Sequence, residues 1–305
     1  MTTDIELLLD ATPTPSVDAA LAEVEAFFMS VEQRFSRFLE DSELSVLNRS
    51  ENAGRPVPVS PELARLVQLA VAAARRSDGV FDPTVIAALE AAGYDRSIDL
   101  IRAQGAAFPR PLAADDRPGR WREIQVRQDA RGSWLVLRPE GQRLDLGGIA
   151  KGWAADRGAG MLRPLGPGVV NAGGDMRAWG DQPGADTGTG WLAAVDHPLT
   201  AGVDVAWLHV RDGAVATSSV VTRRWAGGHH LIDPRTGSPA DTNLLSVTAL
   251  APTAAEAEVA AKVVLVLGRV PGLEWLAGEA DVEALLAGAD GQFYGTPGIS
   301  RWLVA

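Results

Sequence analysis

Apolar residues recur with a helical period in several parts of the chain. Residues 17–38 place an apolar side chain on one face every three or four positions, which predicts a long helix. Ser60 followed by Pro61 is a capping hydroxyl before a proline suited to a first turn, and it predicts a helix that runs to about residue 76. Residues 253–256, Thr-Ala-Ala-Glu, form a capping-box pattern before another apolar stretch that ends at Gly268.

Shorter apolar stretches between polar turns predict β-strands. They lie at residues 4–9, 124–127, 134–137, 168–172, 191–195, 205–210, 214–217 and 244–250, with a closing hairpin at 284–294. Strands and helices are interleaved irregularly, which favours a mixed α/β fold of the α+β class over a regular doubly wound sheet. We expect a single domain over residues 1–305, in which residues 96–120, rich in Pro, Ala, Asp and Arg, form a loop or insertion.

One predicted junction between a strand and a helix carries polar side chains. Residues 144–146 read as the end of a strand, residues 147–148 are two glycines, and helical spacing begins at Ile149. A strand, turn and helix in this order direct backbone N–H groups and a helix N-terminus towards one point, which suits an anion. In this chain, Asp145 before the turn and Lys151 after it could bracket a polar ligand. The sequence contains neither the dinucleotide fingerprint nor the phosphate loop, so an ordinary strand-to-helix connection is the alternative.

The amino-acid composition argues against several classes of protein. The chain of 305 residues is 46% hydrophobic and 22% charged, which is typical of a globular protein. A net charge of −11 argues against a general nucleic-acid binder, and no apolar run is long enough for a membrane segment. The absence of cysteine excludes disulfides, thiol catalysis and cysteine-ligated metals. The first residues lack the basic region of a signal peptide, so we expect a cytoplasmic protein.

Four polar clusters each follow or interrupt an apolar stretch, where binding residues concentrate. They lie at residues 81–82, 145–151, 171–175 and 229–235. His229 and His230 are half of the four histidines, and adjacent residues of a strand point to opposite faces, so at most one of them faces a given pocket. Taken separately, each cluster is weak evidence, and a simple connection or a surface or half-buried side chain is the favoured explanation for the glycine turn and for the histidines.

The order and spacing of these clusters resemble the ApbE-type family, the FAD:protein FMN transferases. The matching segments are F-S-R-F-x-x-D-S-E-L-S-x-L-N at residues 35–48, G-V-F-D-P-T at 79–84, L-D-L-G-G-I-A-K-G-x-A-x-D at 144–156, V-N-A-G-G-D at 170–175, A-T-S at 216–218 and H-H-L-I-D-P-R-T-G at 229–237. Collinear matches of this number are very improbable by chance. The resemblance implies an ApbE-like fold with a cleft that holds FAD.

The resemblance also implies which residues contact FAD. Phe38 would lie against the flavin or the adenine, and Asp145 and Lys151 would contact the nucleotide. The cofactor-binding set is completed by Val80, Phe81, Asp82 and Leu231. His230 is our candidate for proton handling at the acceptor hydroxyl, and Asp145 is the second candidate catalytic residue.

The resemblance implies a Mg²⁺ site formed by a backbone carbonyl of the glycine turn, here Gly148, and by Asp and Thr side chains of a late helix. This chain departs from that pattern. Glu258 replaces the Asp and, with the Gly148 carbonyl, stays a candidate ligand for a hard cation, whereas Lys262 replaces the Thr, and an ammonium group cannot ligate a metal. Glu258 and Lys262 are four residues apart and lie on one helical face. Two interpretations follow: a solvated ion pair, or an ammonium group that neutralises the diphosphate where the metal would be, which predicts metal-independent or weakly metal-dependent FAD binding.

The activity implied by the resemblance is phosphoryl transfer. A threonine hydroxyl of an acceptor protein, in a segment of the type D-[SG]-[AT]-[ST]-x-x-T, attacks the FMN phosphorus of FAD, and AMP leaves. The alternatives are a non-catalytic FAD or nucleotide-binding homologue, which the substitution by Lys262 favours, and an FAD pyrophosphatase that releases FMN and AMP. The partners expected from the sequence are therefore FAD and an acceptor protein with a flavinylation threonine.

Overall fold

A computed structural model of the chain describes residues 3–106, 109–113, 116–186 and 188–304. The helices in this part of the chain are α1 (Pro15–Phe35), α2 (Glu43–Asn48), α3 (Pro61–Arg76), α4 (Ile86–Ala91), α5 (Ile98–Gln104), α6 (Ala150–Leu162), α7 (Ala254–Leu267) and α8 (Arg269–Leu276). The strands are β1 (Ile5–Leu9), β2 (Val57–Val59), β3 (Gln125–Gln128), β4 (Trp134–Leu137), β5 (Gly168–Ala172), β6 (Asp175–Trp179), β7 (Trp191–Asp196), β8 (Asp204–Val210), β9 (Ala214–Ser219), β10 (Arg224–Trp225), β11 (Gly228–His229), β12 (Ile232–Asp233), β13 (Ser238–Pro239), β14 (Leu244–Ala251), β15 (Glu283–Gly288) and β16 (Phe293–Gly295). Mixed helices and sheets confirm the α+β class.

The chain divides into two compact units. The first contains Val31–Ala150 and Thr222–Asp241, and the second contains Thr3–Ser30, Lys151–Val221 and Thr242–Ala305. The single domain over residues 1–305 stays a prediction. Within the segment 96–120, expected as a loop or insertion, α5 forms a short helix. No helix among the described residues has both the length and the apolar character needed to cross a bilayer.

The second unit is organised around a seven-stranded antiparallel sheet with the order β1-β5-β6-β9-β14-β15-β16. Its two faces are covered differently. Val169 of β5 packs in a buried cluster with residues of β7 and β8, whereas the next residue, Val170, lies close to Gly158 of α6. Because successive side chains of a strand point to opposite faces, the β7–β8 hairpin and α6 cover opposite faces of the sheet.

Helix α7 also packs on this sheet, against β6, β9 and β14. Nearly every side chain of α7 is buried, including the charged Glu258. Its N-cap residue is Thr253, whose hydroxyl accepts the Glu256 N–H at 3.3 Å and donates to the Glu256 carboxylate at 2.9 Å. The start of α7 thus follows the predicted capping residues.

The first unit is built from α2 to α5 and small sheets. Strands β2, β4 and β3 form a three-stranded antiparallel sheet, and β10–β11 and β12–β13 are short hairpins. A buried cluster joins α4 and α5 to Trp225 of β10 and Ile232 of β12. This cluster holds both short hairpins, of which β10–β11 contains His229, next to the helices of the same unit.

Helix α1 ends earlier than the apolar pattern predicts. The helix stops at Phe35, so Phe38 lies in the following turn. The Ser36 hydroxyl accepts the N–H of Phe38 at 3.3 Å, and the Ser36 carbonyl accepts the Ser42 hydroxyl at 2.7 Å. Serine side chains that bond to nearby backbone compete with helical hydrogen bonds, which explains the early end.

Candidate functional site

The glycine turn of the first unit is held by side-chain bonds, and our prediction of a strand end at residues 144–146 was wrong. The Asn48 side chain donates to the Leu144 carbonyl and accepts the Leu144 N–H, both at 2.8 Å. The Asp145 N–H donates to the Pro83 carbonyl at 2.7 Å. An asparagine amide can satisfy one donor and one acceptor of the backbone, so this segment needs no neighbouring strand.

The Asp145 carboxylate is fixed in place from two directions. One oxygen, Oδ1, accepts the Gly147 N–H at 2.7 Å, which closes a local turn before Gly148. The other, Oδ2, lies 3.5 Å from Nε of Arg37. The Arg37 guanidinium in turn donates to the Tyr94 carbonyl at 2.9 Å. The predicted contacts of Asp145 with FAD, and of the Gly148 carbonyl with a metal, stay predictions.

An aromatic cluster is formed by Phe38, Tyr94, Trp225 and His230, and the Arg37 guanidinium lies over the rings of Phe38 and Tyr94. Tyr94 stacks on Trp225 with ring centroids 5.4 Å apart, meets Phe38 edge-on at 5.9 Å and lies 6.4 Å from His230. The Arg37 guanidinium lies 4.2 Å from the Phe38 centroid. The Phe38 side chain is nevertheless 41% exposed, so it offers a ring to an aromatic ligand.

A cleft of about 400 Å³ in the first unit opens beside Phe38. Three arginines contribute to its lining, Arg37, Arg49 and Arg143, together with the amide of Asn48. Arg143 is paired with Glu90 through two hydrogen bonds of 2.9 and 2.6 Å. Glu40, Asp41 and Glu90 also line the cleft, so it combines an exposed aromatic ring with charged groups of both signs, which suits a planar polar ligand.

The Val80-Phe81-Asp82 segment follows α3, and its three side chains differ in exposure. Phe81 is buried and Val80 is half-buried. Asp82 is buried, and Oδ1 accepts the N–H and the hydroxyl of Thr84 at 2.7 and 2.6 Å, while Oδ2 accepts the Gly119 N–H at 2.7 Å. Burial raises the pKa of Asp82, against these hydrogen bonds. Asp82 thus ties the segment to the loop at Gly119.

The two adjacent histidines have different surroundings. The His229 Nδ1 atom accepts the Leu231 N–H at 3.3 Å, and Nε2 lies 3.1 Å from the Ala240 carbonyl, so the ring is neutral with its proton on Nε2. Burial lowers the pKa of His229. The His230 backbone N–H donates to the Arg223 carbonyl at 3.3 Å, and its ring faces Tyr94. Leu231 is buried. His229 is therefore engaged in holding the hairpin.

In the second unit, α6 and α7 cap each other's N-termini. The Asp156 carboxylate of α6 accepts the N–H groups of Ala254 and Ala255 at 2.8 and 3.0 Å. In return, Oε2 of Glu258 in α7 accepts the Gly152 N–H at 2.9 Å. A Cβ atom on Gly152 would lie 2.4 Å from the Ala254 carbonyl oxygen, so only glycine permits this approach. The N–H groups at a helix start need acceptors, and each helix supplies them to the other.

The exchange of caps brings four charged side chains together, the buried ion-pair cluster of Lys151, Asp175, Glu258 and Lys262. Lys151 Nζ donates to Asp175 Oδ2 and to Glu258 Oε1, the latter at 2.8 Å. Lys262 Nζ donates to the same Glu258 oxygen at 3.0 Å. Two ammonium groups and two carboxylates thus form one continuous network.

Asp175 reaches this cluster through a two-glycine hairpin turn. Gly173 and Gly174 have φ values of +63° and +94°, and the residues on either side, Ala172 and Asp175, pair across β5 and β6. Positive φ at both central positions is characteristic of the tightest hairpin turns and favours glycine. The segment 171–175 is therefore a tight turn, and it fixes Asp175 as the first residue of β6.

The charged side chains of the cluster shift one another's pKa values. Burial raises the pKa of Glu258, but the ammonium groups of Lys151 and Lys262 outweigh it and hold the pKa at about 2. Burial and the neighbouring Glu258 carboxylate raise the pKa of Asp175 to about 6 despite the lysines. Burial would lower the pKa of Lys151, but Asp175 and Glu258 raise it overall, whereas burial dominates for Lys262 and lowers its pKa. Both carboxylates are ionised at pH 7.

These two lysines are the only lysines of the chain. Lys151 and Lys262 stand among 28 Lys and Arg residues, and arginine occupies every other such position. An ammonium group is a compact point charge, whereas a guanidinium is a planar fork. Both compact cations of the protein are therefore bound to one carboxylate oxygen.

The residues of the late helix do not fit the divalent metal that the family pattern implies. Both oxygens of Glu258 are already engaged, by two ammonium groups and by the Gly152 N–H. An ammonium group repels a cation and has no lone pair to donate, so Lys262 cannot be a ligand. No group of three or more His, Asp or Glu side chains suited to a metal occurs in the described part of the chain.

Sequence reasoning missed three residues that organise these sites. Arg37 joins Asp145 to Tyr94, Asp156 caps α7, and Asp175 completes the ion-pair cluster. Each of them lies inside a segment that matches the family pattern. The signal was present in those segments, but their partners are distant in sequence, so spacing alone gave no indication of the contacts.

Comparison with known proteins assigns this α+β protein, with its paired helix caps and its charge cluster, to a family. A model described as the ApbE family matches residues 1–286. The FAD:protein FMN transferase of Treponema pallidum (strain Nichols) is 31% identical over 306 residues, which cover 94% of this chain and 82% of that protein. That of Haemophilus influenzae is 27% identical and covers 88% and 79%. The chain therefore belongs to the ApbE family.

Solved structures show the same fold. The ApbE protein of Thermotoga maritima superimposes with a TM-score of 0.85 and 25% identity, covering 99% of this chain and 96% of that one. The flavin transferase ApbE of Vibrio cholerae superimposes with a TM-score of 0.76 and 23% identity, covering 98% and 100%. The family and the ApbE-like fold expected from the sequence are confirmed.

Proposed function

We propose that the protein transfers FMN from FAD to a threonine hydroxyl of an acceptor protein and releases AMP. The observation that carries this proposal is the match of the ApbE family over residues 1–286, together with relatives named FAD:protein FMN transferase. FAD and an acceptor protein are then the partners. The cytoplasmic location and the lack of nucleic-acid binding stay predictions.

In this reaction the threonine oxygen forms a bond to the phosphorus of the FMN half. The bond from that phosphorus to the bridging oxygen breaks, and AMP leaves with the electron pair. The hydroxyl proton has to be removed, and we assign this role to His230. The hydrogen bonds of both His229 ring nitrogens support His230 as the member of the pair that handles the proton.

Within the first unit, the exposed ring of Phe38 supports a contact with the flavin or the adenine. Asp145 is assigned to the nucleotide, because its carboxylate is held in a defined position by Gly147 and Arg37. Val80, Phe81, Asp82 and Leu231 are assigned to the lining of the FAD site, where Val80 is half-buried and the other three are buried. Within the second unit, the Lys151 ammonium is assigned to the diphosphate.

One assay separates transfer from the two alternatives. The full chain is incubated with FAD and an acceptor protein that carries the segment D-[SG]-[AT]-[ST]-x-x-T, and the control acceptor has alanine in place of the final threonine. Transfer gives a fluorescent acceptor that is heavier by FMN less one water, with one AMP for each acceptor modified. Free FMN and AMP with an unmodified acceptor would indicate a pyrophosphatase, and intact bound FAD would indicate a binding protein.

A further inference from the structure

The two lysine side chains of the buried ion-pair cluster keep slightly more surface exposed than its two carboxylates. The side chains of Lys151 and Lys262 keep 12% and 17% of their surface exposed, whereas those of Asp175 and Glu258 keep 3% and 1%. The lysines are thus the members of the cluster with the most surface left for a ligand. Their ammonium groups donate to an anion and cannot ligate a divalent cation.

The hydrogen bonds within the cluster leave donors for such an anion. An ammonium group has three N–H donors. Among the described residues, Lys151 donates to Asp175 and Glu258, and Lys262 donates to the carboxylate of Glu258 at 3.0 Å and to its carbonyl at 3.4 Å. One N–H of each ammonium group remains beyond these bonds. Two fixed donors next to each other suit the oxygens of a phosphate or diphosphate.

We infer that the Lys262 ammonium group takes the place of a divalent metal and, together with Lys151, binds the diphosphate of FAD directly. The inference rests on the proposed function and deepens it, because it specifies how the protein neutralises the substrate. A built-in cation needs no free metal, so FAD binding and FMN transfer proceed without Mg²⁺. The charge that develops on the departing AMP phosphate is then stabilised by ammonium N–H donors.

Lysine at position 262 is chemically suited to this role, because its ammonium group is a compact point charge. Lys151 is shared between Asp175 and Glu258, so the two ammonium groups together balance the two carboxylates of the cluster. The chain uses arginine at all its other cationic positions. Lysine at position 262 therefore places a second compact ammonium group next to that of Lys151, on the same carboxylate oxygen.

FAD binding in two buffers tests the inference. The dissociation constant of FAD is measured by flavin fluorescence and by calorimetry, once with EDTA and once with excess Mg²⁺. The wild-type protein is expected to bind FAD with the same affinity, within about twofold, in both buffers. Lys262→Met is expected to weaken binding at least about tenfold in both buffers, in line with the loss of a charged hydrogen bond. Lys262→Thr, which restores a hydroxyl, is expected to bind weakly in EDTA and to recover with Mg²⁺.

The matched control is Arg157→Met, which removes one positive charge from an exposed position of α6 and is expected to bind FAD like the wild type. A second readout does not depend on a variant that folds. With ¹⁵N-lysine labelling, the protein has only two side-chain ammonium signals, from Lys151 and Lys262. FAD in EDTA is expected to shift both signals, and Mg²⁺ alone is expected to shift neither.

Two results would overturn the inference while leaving the proposed function intact. In the first, the wild type binds FAD or transfers FMN only when Mg²⁺ is present. In the second, FAD binds to the protein but leaves both ammonium signals unchanged. If the wild type bound no FAD in either buffer, the proposed function would fail together with the inference. The comparison of the two buffers and the ammonium signals therefore distinguish a failure of this inference from a failure of the proposed function.

Discussion

Lys151 and Lys262 donate to the same oxygen atom, Oε1 of Glu258, from two different helices, at 2.8 and 3.0 Å. The other oxygen of this carboxylate caps the first turn of α6 through Gly152. Glu258 thus joins the helix packing of the second unit to its only two ammonium groups. In the buried interior, removal of one partner from such a network costs about 3–5 kcal/mol, because the remaining charge is left uncompensated.

Because α6 and α7 approach each other closely, substitutions of two glycines in α6, Gly152 and Gly160, test the packing directly. Gly152→Ala is expected to destabilise the protein by about 1–3 kcal/mol or more, because its Cβ atom would overlap the Ala254 carbonyl. Gly160→Ala, on the exposed side of the same helix with no atom near its Cβ, is expected to stabilise it by about 0.5–1 kcal/mol. Urea denaturation of both variants measures the difference, and equal effects would contradict the described contact.

The hydrogen bonds of His229 predict a dependence of stability on pH. The folded protein holds His229 neutral, with a pKa below the ordinary value of 6.5, so stability from this residue is present above pH 6.5 and is lost as the pH falls towards the folded pKa. His229→Gln is expected to flatten the fall in melting temperature between about pH 6.5 and pH 5. The two proteins are compared at pH 8 as a reference, and parallel curves at every pH would exclude the effect.

Proton transfer by His230 predicts a specific loss of rate. His230→Ala is expected to lower the rate of FMN transfer by about 10²–10⁴-fold while FAD binding changes little, because a general base acts on the acceptor hydroxyl. His229→Gln at pH 8 is the control and is expected to transfer within a few-fold of the wild-type rate. Single-turnover formation of the flavinylated acceptor gives both rates, and a full rate in His230→Ala would remove it from this role.

The exposed ring of Phe38 predicts a loss of affinity without a loss of stability. Phe38→Ala is expected to weaken FAD binding roughly tenfold, because an aromatic contact contributes about 1 kcal/mol beyond its buried area. The neighbouring Leu39 has a similar exposed fraction, 43% against 41%, and Leu39→Ala serves as the control. Fluorescence titration with FAD measures both variants. Equal affinities for the two would place the flavin and the adenine elsewhere.

Local patterns in the sequence were sufficient for several elements. Helix α3 begins after Ser60, whose hydroxyl accepts the Leu63 N–H at 3.1 Å, and it ends at Arg76 as predicted. The capping residues at Thr253 and Glu256 mark the start of α7. These signals depend on residues three or four positions apart, and such neighbours meet whenever the helix forms. The family was likewise evident from collinear short segments.

The contact between Glu258 and Lys262 was determined by the sequence itself, because residues four apart share a face of one helix. Only the tertiary structure decided that Lys151, 107 residues away from Glu258, joins the same oxygen, and that Asp175 completes the cluster. It also decided that Leu144 is held by the Asn48 side chain and not by a strand. Burial of a charge is tolerated only where partners from distant segments converge, and that convergence is a property of the packed fold.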